Sequence, residues 1–461
     1  MNRMCWISAC AIAWAACGDD DATVDAGTDA SIDAPMDDGG ILDGALDAQT
    51  DAPTPDGGDA GEDLCEGDAV LDPLAALPAF VVVGSDFTST SVGLLDAAGD
   101  VHTDAWIDSG TTGAGLVATL GGDVVLPTTL DGSTLDLLDR FGVDVGTRIC
   151  PNGVVVGQVA FSPGDFATNV HDWVVRDANQ AWATRYEPNP DGSAADVDKG
   201  NDLIGFDPTA MSLNGLRIDL SMFDESVSGL DSGGAEVSVE VSARPDTLVE
   251  AGGVLVVGLG RLPQNLFGDA RGHGDGRVAI VDPAEATVVG VELTGLANCG
   301  TVVPVAGTTD EVLVSCLGYS DAGFGDAAGE RATAGIARIS VTDGTANVES
   351  LWRVSDEDAN RLSVYSIVSL GGDSVVAVAP GDFATTTDAL VQVNLSTGAQ
   401  TTIVDAGGSF VLGQGAFDGA SLLLVPDSEV GVRRFDASDF SEDSPITIGP
   451  SALPPRMIRA L

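Results

Sequence analysis

Two histidines in this sequence stand where an imidazole could take part in chemistry. His171 is followed by Asp172 and lies in an apolar segment, 170–176, that predicts a strand. His171 opens this strand and could point toward the mouth of a central channel. His273 lies in a polar, glycine-rich segment, 271–277, where it could contact a ligand. The alternatives are that His171 caps or borders a core and that His273 belongs to a solvated loop.

Aspartates in turns and loops form the second group that could do chemistry. Asp165, Asp275, Asp321 and Asp382 could gather around a cation such as calcium, which binds carboxylate oxygens. Solvated surface carboxylates are the alternative. The sequence contains no Gly-x-Ser-x-Gly elbow for a nucleophilic serine. We therefore predict no catalytic residue and no bound cofactor, and we leave a calcium ion open.

Four cysteines are expected to form two disulfides. Cys65, Cys150, Cys299 and Cys316 make an even number, which is typical of exported chains. Cys299 and Cys316 flank two apolar runs that are separated by Gly307, so a hairpin would place their sulfurs opposite each other. Cys65–Cys150 then follows by elimination. Zinc is not favoured, because the region has no close Cys or His pair.

A repeated strand–turn–strand pattern must position these side chains. Seven copies, at intervals of roughly 42 to 75 residues, are what one hairpin per blade of a seven-bladed β-propeller would give. The polar residues that end the first strand of each copy are Asp96, Asp139, Asp207, Asp282, Asp343, Asn394 and Asp436. The surrounding apolar runs are short, rich in Val, Leu and Ile, and broken by Gly, Asp and Pro. The sequence predicts an all-β propeller over residues 64–461.

The two ends of this region should complete one blade. Residues 80–84 look like a second strand with no first strand before them, and residues 455–461 look like a first strand with nothing after them. We expect the last strand to join the opening blade and to close the ring, because closure removes unpaired sheet edges. The second blade can be threaded in two registers.

Long connections predict which face of the propeller binds a partner. The segments 187–200, 260–276 and 318–335, and the blade-to-blade link 223–244, all fall on one face. Loops on a rigid scaffold often carry binding residues. The candidate binding residues on this face are Arg261, His273, Asp275, Tyr319, Asp165, Asp382 and His171.

The first 63 residues predict export and a lipid anchor. A short positive start and an apolar run predict a signal peptide over residues 1–16. Trp14-Ala15-Ala16-Cys17-Gly18 resembles a bacterial lipoprotein cleavage box, in which Cys17 carries the lipid; ordinary secretion with cleavage elsewhere is the alternative. Residues 17–63 form an Asp-rich linker that we expect to be disordered, since it cannot bury enough apolar surface.

Net charge narrows the class of partner. The chain has 71 acidic and 19 basic residues and a formal net charge of −52. Nucleic acid and anionic membrane surfaces are therefore excluded as expected partners. A basic protein, a neutral glycan or a cation remains open. We expect a monomer that touches the membrane through its lipid anchor only.

One blade resembles a known family of surface propellers. Residues 169–175, 180–186 and 202–207 resemble a blade of the YVTN-type, WD40-like propellers, with Val170 in place of the usual proline. The lipoprotein box and the Asp-rich linker are similar to those of exported proteobacterial proteins. The resemblance covers most of residues 80–461. It implies a place in the cell envelope, such as the outer membrane, and it supplies no catalytic residues.

Two classes of function follow from the sequence. The first is a lipid-anchored binding or scaffold module that holds a protein or glycan through its long-loop face. The second is a propeller hydrolase or lactonase that uses a central divalent cation. The first is favoured, because the sequence shows few histidines and no compact set of metal ligands.

Overall fold

The structure is a computed structural model, and it describes residues 64–74, 78–130, 132–140, 142–164, 166–266, 268–321, 327–354, 364–381 and 386–461. The predicted signal peptide 1–16, Cys17 and the linker to residue 63 lie outside the described residues. Asp165 and Asp382 also lie outside them.

The described residues form seven four-stranded antiparallel sheets, named sheets I to VII in chain order, and one three-stranded sheet. The first three sheets are built from β1 (Phe80–Ser85), β2 (Thr90–Leu95) and β3 (Val101–Asp108) in sheet I; β4 (Val124–Val125), β5 (Leu135–Asp139), β6 (Val145–Ile149) and β7 (Val155–Ala160) in sheet II; and β8 (Val170–Asp177), β9 (Gln180–Pro188), β10 (Gly200–Asp207) and β11 (Ser212–Asp219) in sheet III.

The next segment contains sheet IV and the three-stranded sheet. The strands are β12 (Glu225–Leu230), β13 (Glu236–Ser242), β14 (Pro245–Ala251), β15 (Val254–Leu259), β16 (Leu262–Pro263), β17 (Arg277–Asp282) and β18 (Thr287–Glu292). β12, β13 and β16 form the three-stranded sheet, and β14, β15, β17 and β18 form sheet IV. The link 223–244, expected as a long loop, is thus mostly a hairpin, because its alternating Val239 and Val241 bury one face.

Sheets V to VII complete the series. Their strands are β19 (Thr301–Pro304), β20 (Glu311–Cys316), β21 (Gly335–Thr342) and β22 (Thr345–Arg353) in sheet V; β23 (Ser366–Ser369), β24 (Ser374–Ala379), β25 (Ala389–Asn394) and β26 (Gln400–Asp405) in sheet VI; and β27 (Ala416–Phe417), β28 (Leu422–Asp427), β29 (Gly431–Asp436) and β30 (Glu442–Ile446) in sheet VII. One short helix, α1 (Ala327–Ala332), precedes β21, and 3₁₀ turns cover Asp196–Asp198 and Ser221–Phe223.

The last strand returns to the first sheet. β31 (Pro455–Ala460) pairs antiparallel with β1, with Ile458 opposite Val82. Sheet I therefore has the order β3-β2-β1-β31.

Alternation along the second strands explains why they are continuous apolar runs. In β24, Val375 and Ala377 pack into a cluster between sheets V and VI, whereas Val376 and Val378 pack into one between sheets VI and VII. Successive side chains of a strand point to opposite faces, so a strand between two neighbours must be apolar on both. Equivalent clusters join sheets I, II and III, sheets III and IV, sheets IV and V, and sheets VII and I.

In four of the seven repeats, the aspartate that ends the strand closes its turn. The carboxylate of Asp282 accepts a hydrogen bond from the main-chain N–H of Ala284 at 2.9 Å. The same contact, from aspartate to the residue two positions on, recurs at Asp96, Asp207 and Asp436. A side chain of this type mimics a turn of the backbone, which explains why the pattern selects Asp or Asn.

Sheet II uses this repeat differently from the other sheets. In six sheets the repeated turn joins the third and fourth strands. The count starts at β31 in sheet I and at the first strand in chain order in the other sheets. In sheet II the Asp139 turn joins β5 and β6, the second and third strands, and the outer turn lies at residues 150–154. The structure therefore selects one of the two registers that the sequence left open.

Both predicted disulfides are present. Cys299 and Cys316 are bonded across the start of β19 and the end of β20, and Cys65 is bonded to Cys150 after β6. The second bond ties the segment before β1 to sheet II across 85 residues of sequence.

Buried aspartates join neighbouring sheets. Asp388, immediately before β25, is fully buried and accepts hydrogen bonds from the main-chain N–H groups of Phe410, Val411 and Leu412 at 2.7 to 2.9 Å. Asp144 precedes β6 and contacts Val170 in the same way. A buried N–H needs an acceptor, so each carboxylate fixes the path into the next sheet.

Candidate functional site

A cavity of about 230 Å³ is lined by strands of sheets I to VI and by the segment 410–414 that precedes sheet VII. One lining residue from each of sheets I to VI, in sheet order, is Arg459, Val125, His171, Thr247, Thr301 and Ile367, and Gln414 lines the cavity from the segment before sheet VII. Because residues far apart in sequence share this wall, the cavity is a place where a small molecule could be enclosed on several sides.

His171 and Asp246 form a buried polar pair on the cavity wall. His171 Nδ1 lies 2.7 Å from Asp246 Oδ1, and its ring stacks on Tyr186 with ring centres 4.3 Å apart. Among the described residues, His171 Nε2 has no hydrogen-bond partner. The stacking and the carboxylate hold the imidazole in one orientation, which suits a residue that exchanges a proton or binds a polar group.

Asp172, the neighbour of His171, is fully buried behind the wall. Its carboxylate accepts hydrogen bonds from the main-chain N–H groups of Thr128, at 2.9 Å, and Leu248, at 3.0 Å. Burial raises the pKa of Asp172 to about 6 despite these bonds. This carboxylate joins sheets II, III and IV around the cavity.

Two arginines of β31 also line the cavity. Arg456 donates from Nε to the carbonyl oxygen of Ser85 at 3.3 Å, and its guanidinium lies 5.1 Å from the ring centre of Phe87. Arg459 donates from Nη2 to Gln414 Oε1 at 2.6 Å. Burial lowers the pKa of Arg459 to about 10, although Asp172 opposes that shift. Both groups remain cationic at neutral pH.

The loop residue Tyr319 brings part of the predicted binding face to the cavity. Tyr319 lines the cavity, and burial raises the pKa of its hydroxyl. Its ring lies 5.5 Å from that of His273, whose Nδ1 is 2.9 Å from an oxygen of Asp321. His171, Tyr319 and His273 are therefore the predicted residues that the structure places on or beside the cavity.

Arg261 and Asp275, two further predicted binding residues, do not line the cavity. The Arg261 side chain is buried, and it contacts Glu225 and donates to the carbonyl oxygens of Phe223 and Asp275. Asp275 is exposed. Arg261 thus ties the hairpin and the loop together through backbone contacts, and Asp165 and Asp382 lie outside the described residues.

Sequence reasoning missed Arg456 and Arg459. The signal that could have found them is a charged residue in a segment predicted to be the innermost strand of a buried sheet, since Arg is rarely buried without a partner.

Across the part of the chain that the structure describes, no group of three or more His, Cys, Asp or Glu residues is arranged to hold a metal ion. No helix among the described residues has the length and apolarity to cross a bilayer.

Comparisons with known proteins give similarity at the level of fold. No family model matches the sequence, and no curated protein matches it. A Bacteroides fragilis protein, provisionally named a 6-phosphogluconolactonase, matches with a TM-score of 0.52 at 10% identity, covering 85% of this chain and 100% of that chain.

Two further solved structures are similar. The β-propeller domain of Swd1 from Myceliophteria thermophila has a TM-score of 0.46 at 13% identity and covers 77% of this chain and 93% of that chain. A Lactobacillus plantarum protein has a TM-score of 0.47 at 12% identity and covers 83% of this chain and 99% of that chain. The chain has an all-β fold of the β-propeller type, as the sequence predicts.

Proposed function

We propose that this chain is an exported, lipid-anchored β-propeller that binds a ligand in the cavity enclosed by its innermost strands. In this proposal, sheets I to VII are seven blades, and β31 closes the ring. The pairing of β31 with β1 and the apolar cluster between sheets VII and I support this closure. A closed ring is rigid and has a defined mouth, which suits a binding module.

The polar cavity wall is the observation that carries this proposal. His171 Nε2 and Arg459 Nε are buried polar atoms without hydrogen-bond partners among the described residues. A buried polar group without a partner costs free energy, so its retention is typical of a site that a ligand completes. Tyr319 and His273 extend the site towards the loop face, where a protein or glycan partner would make further contacts.

The cavity can be blocked to test this proposal. Leu317 lines it and is partly exposed, so Leu317→Trp should fill part of the space. The matched control is Leu216→Trp, because Leu216 is 47% exposed on β11. We would screen organic acids, sugars and phosphates against the full-length protein by thermal shift, and then measure affinities by calorimetry.

The expected result is that ligand affinity falls at least about tenfold in Leu317→Trp and is unchanged in Leu216→Trp. A ligand that binds both variants equally would place the binding site elsewhere and would contradict the proposal.

The membrane anchor is tested separately. Cys17 should carry acyl chains and hold the protein in the cell envelope, with residues 17–63 as the linker to the propeller. Mass spectrometry of the N-terminal peptide would detect the acyl chains, and Cys17→Ser should release the protein from the membrane fraction. Unmodified Cys17 in membrane-bound protein would exclude this anchor.

A lactone hydrolase is the second candidate function, and the His171–Asp246 pair favours it. A histidine held by a carboxylate can act as a general base towards water. His171→Gln would keep a polar side chain of similar size but could not accept a proton at neutral pH. Lactone hydrolysis that is present in the wild type and lost in His171→Gln would support the enzyme; equal rates would exclude His171 as the base.

A further inference from the structure

The cavity wall holds three arginines, and one of them, Arg140, is paired with a carboxylate. Asp123 is paired with Arg140 at 2.7 Å, and Asp246 with His171 at 2.7 Å. Glu330 also lines the cavity and interacts with other groups. Arg456 and Arg459 form no ion pair with any described carboxylate within 4.0 Å. The carboxylate of Asp172, behind the wall, opposes the burial that lowers the pKa of Arg459.

Unpaired arginines are unusual in this strongly acidic protein. Its formal net charge is −52, and several arginines elsewhere contact carboxylates, among them Arg148, Arg185, Arg244, Arg338 and Arg433. Arg353, which donates to main-chain carbonyl oxygens, forms no ion pair with a described carboxylate. Carboxylates are abundant enough to pair with any arginine. Two arginines that line one cavity and lack such partners are a feature that a bound anion would explain.

The free hydrogen-bonding capacity of these arginines points to the same class of ligand. A guanidinium has five N–H donors in a planar fork. Among the described residues, Arg456 uses only Nε in a hydrogen bond, and Arg459 uses Nη1 and Nη2 but leaves Nε without a partner. Donors left in such an arrangement match the paired oxygens of a carboxylate or a phosphate.

We infer that the cavity binds a small anion bearing a carboxylate or phosphate group, held by Arg456 and Arg459. This inference rests on the proposed binding function and names its ligand class. The volume of about 230 Å³ suits a molecule of a few carbon atoms rather than a polymer. Both arginines belong to β31, so the ligand would also bridge the last strand to the sheets on the other side of the cavity.

Three probes distinguish the chemical alternatives. We would titrate full-length protein with citrate, inorganic phosphate and maltose at constant ionic strength, and measure binding by calorimetry. Saturable citrate binding identifies a carboxylate ligand, and saturable phosphate binding identifies a phosphate ligand. Maltose binding without binding of either anion would overturn the anion inference and leave the proposed binding function standing. If none of the three binds, the anion inference is overturned, and the broader screen described above tests the binding function.

Arginine variants provide the decisive comparison. Arg456→Gln and Arg459→Gln should each weaken anion binding by about tenfold or more, because each removes a charge and part of a donor fork. Arg434→Gln is the control: it removes the same charge from the exposed ion pair with Asp100, outside the cavity, and should leave the affinity unchanged.

Arg459→Lys is a control for a folding defect, because it keeps the positive charge but lacks the planar set of guanidinium donors. We expect an affinity between those of the wild type and Arg459→Gln. Equal affinity in the wild type, both glutamine variants and the control would overturn the assignment of these arginines.

Discussion

Arg459 on the last strand donates a hydrogen bond of 2.6 Å to the side chain of Gln414, which precedes the first strand of sheet VII. The backbones of the two segments also meet: the Gln414 N–H donates to the carbonyl oxygen of Arg456 at 3.0 Å, and the Ile458 N–H donates to that of Gln414 at 2.8 Å. The last strand therefore contacts sheet VII on one side and β1 on the other. Its residues serve both the packing of the fold and the wall of the cavity.

Ile458 should be important for stability because it is fully buried between sheets VII and I. Ile458→Ala is expected to lower the free energy of unfolding by about 2 to 4 kcal/mol through lost burial and the cavity left behind. Val289→Ala, at a position 61% exposed on β18, should change it by less than about 0.5 kcal/mol. Urea unfolding of both variants provides the measurement. A chain ending at Pro454 lacks β31 and should unfold at a lower temperature than either variant.

Asp139 should make stability depend on pH. It is buried, one of its oxygens has no hydrogen-bond partner, and burial is the main cause that raises its pKa to about 6. The folded-state pKa lies above the usual value of about 4, so the native state takes up a proton more readily than the unfolded chain. The neutral Asp139 carboxyl therefore makes its full contribution to the free energy of unfolding below about pH 4, and this contribution is lost as the pH rises through about 6.

Asp139→Asn removes the free-energy cost of ionising a buried carboxyl group. We expect the variant to be more stable than the wild type by about 1 to 2 kcal/mol at pH 8, with the difference shrinking towards pH 4. Thermal unfolding at several pH values would show this. A difference that stays constant across that range would mean that Asp139 does not titrate as described.

The two disulfides should contribute unequally. The Cys65–Cys150 bond closes 85 residues and the Cys299–Cys316 bond closes 17. In the chain-entropy model, these loops correspond to about 5 and about 3 kcal/mol, respectively. Paired Cys→Ser variants, compared by urea unfolding, should therefore show the larger loss for Cys65 and Cys150. The reverse order would indicate that native packing around Cys299 outweighs loop closure.

Asp388 should be essential for the path between sheets VI and VII. Asp388→Ala removes the acceptor of four main-chain N–H groups, three of them buried, including that of Gly381, and should cost about 3 to 5 kcal/mol. Asp418→Ala is the matched control, because this exposed aspartate also accepts several main-chain N–H bonds in a turn. It should cost about 1 kcal/mol. Equal unfolding midpoints would contradict the role of Asp388.

The strands of the fourth sheet show how much the sequence predicts. The runs 246–250, 254–258, 277–281 and 287–293 correspond to β14, β15, β17 and β18 within one or two residues. The hairpin β12–β13 was harder to predict from the sequence, because its alternating apolar and polar residues resemble a polar linker. Its pairing with β16 becomes visible only in the structure. In the same way, His171 was a candidate from its own sequence, but its partner Asp246 was not.

The sequence by itself determined the strands, the turns closed by Asp or Asn, and the pairing of the cysteines. The strands, the turns and the Cys299–Cys316 pair depend on patterns within a short stretch of chain, and the Cys65–Cys150 pair, 85 residues apart, followed by elimination. Only the tertiary structure decided the register of sheet II and the make-up of the cavity wall. His171 and Asp246 meet there from distant parts of the chain, and such a contact is set by the packing of whole sheets, which no local pattern encodes.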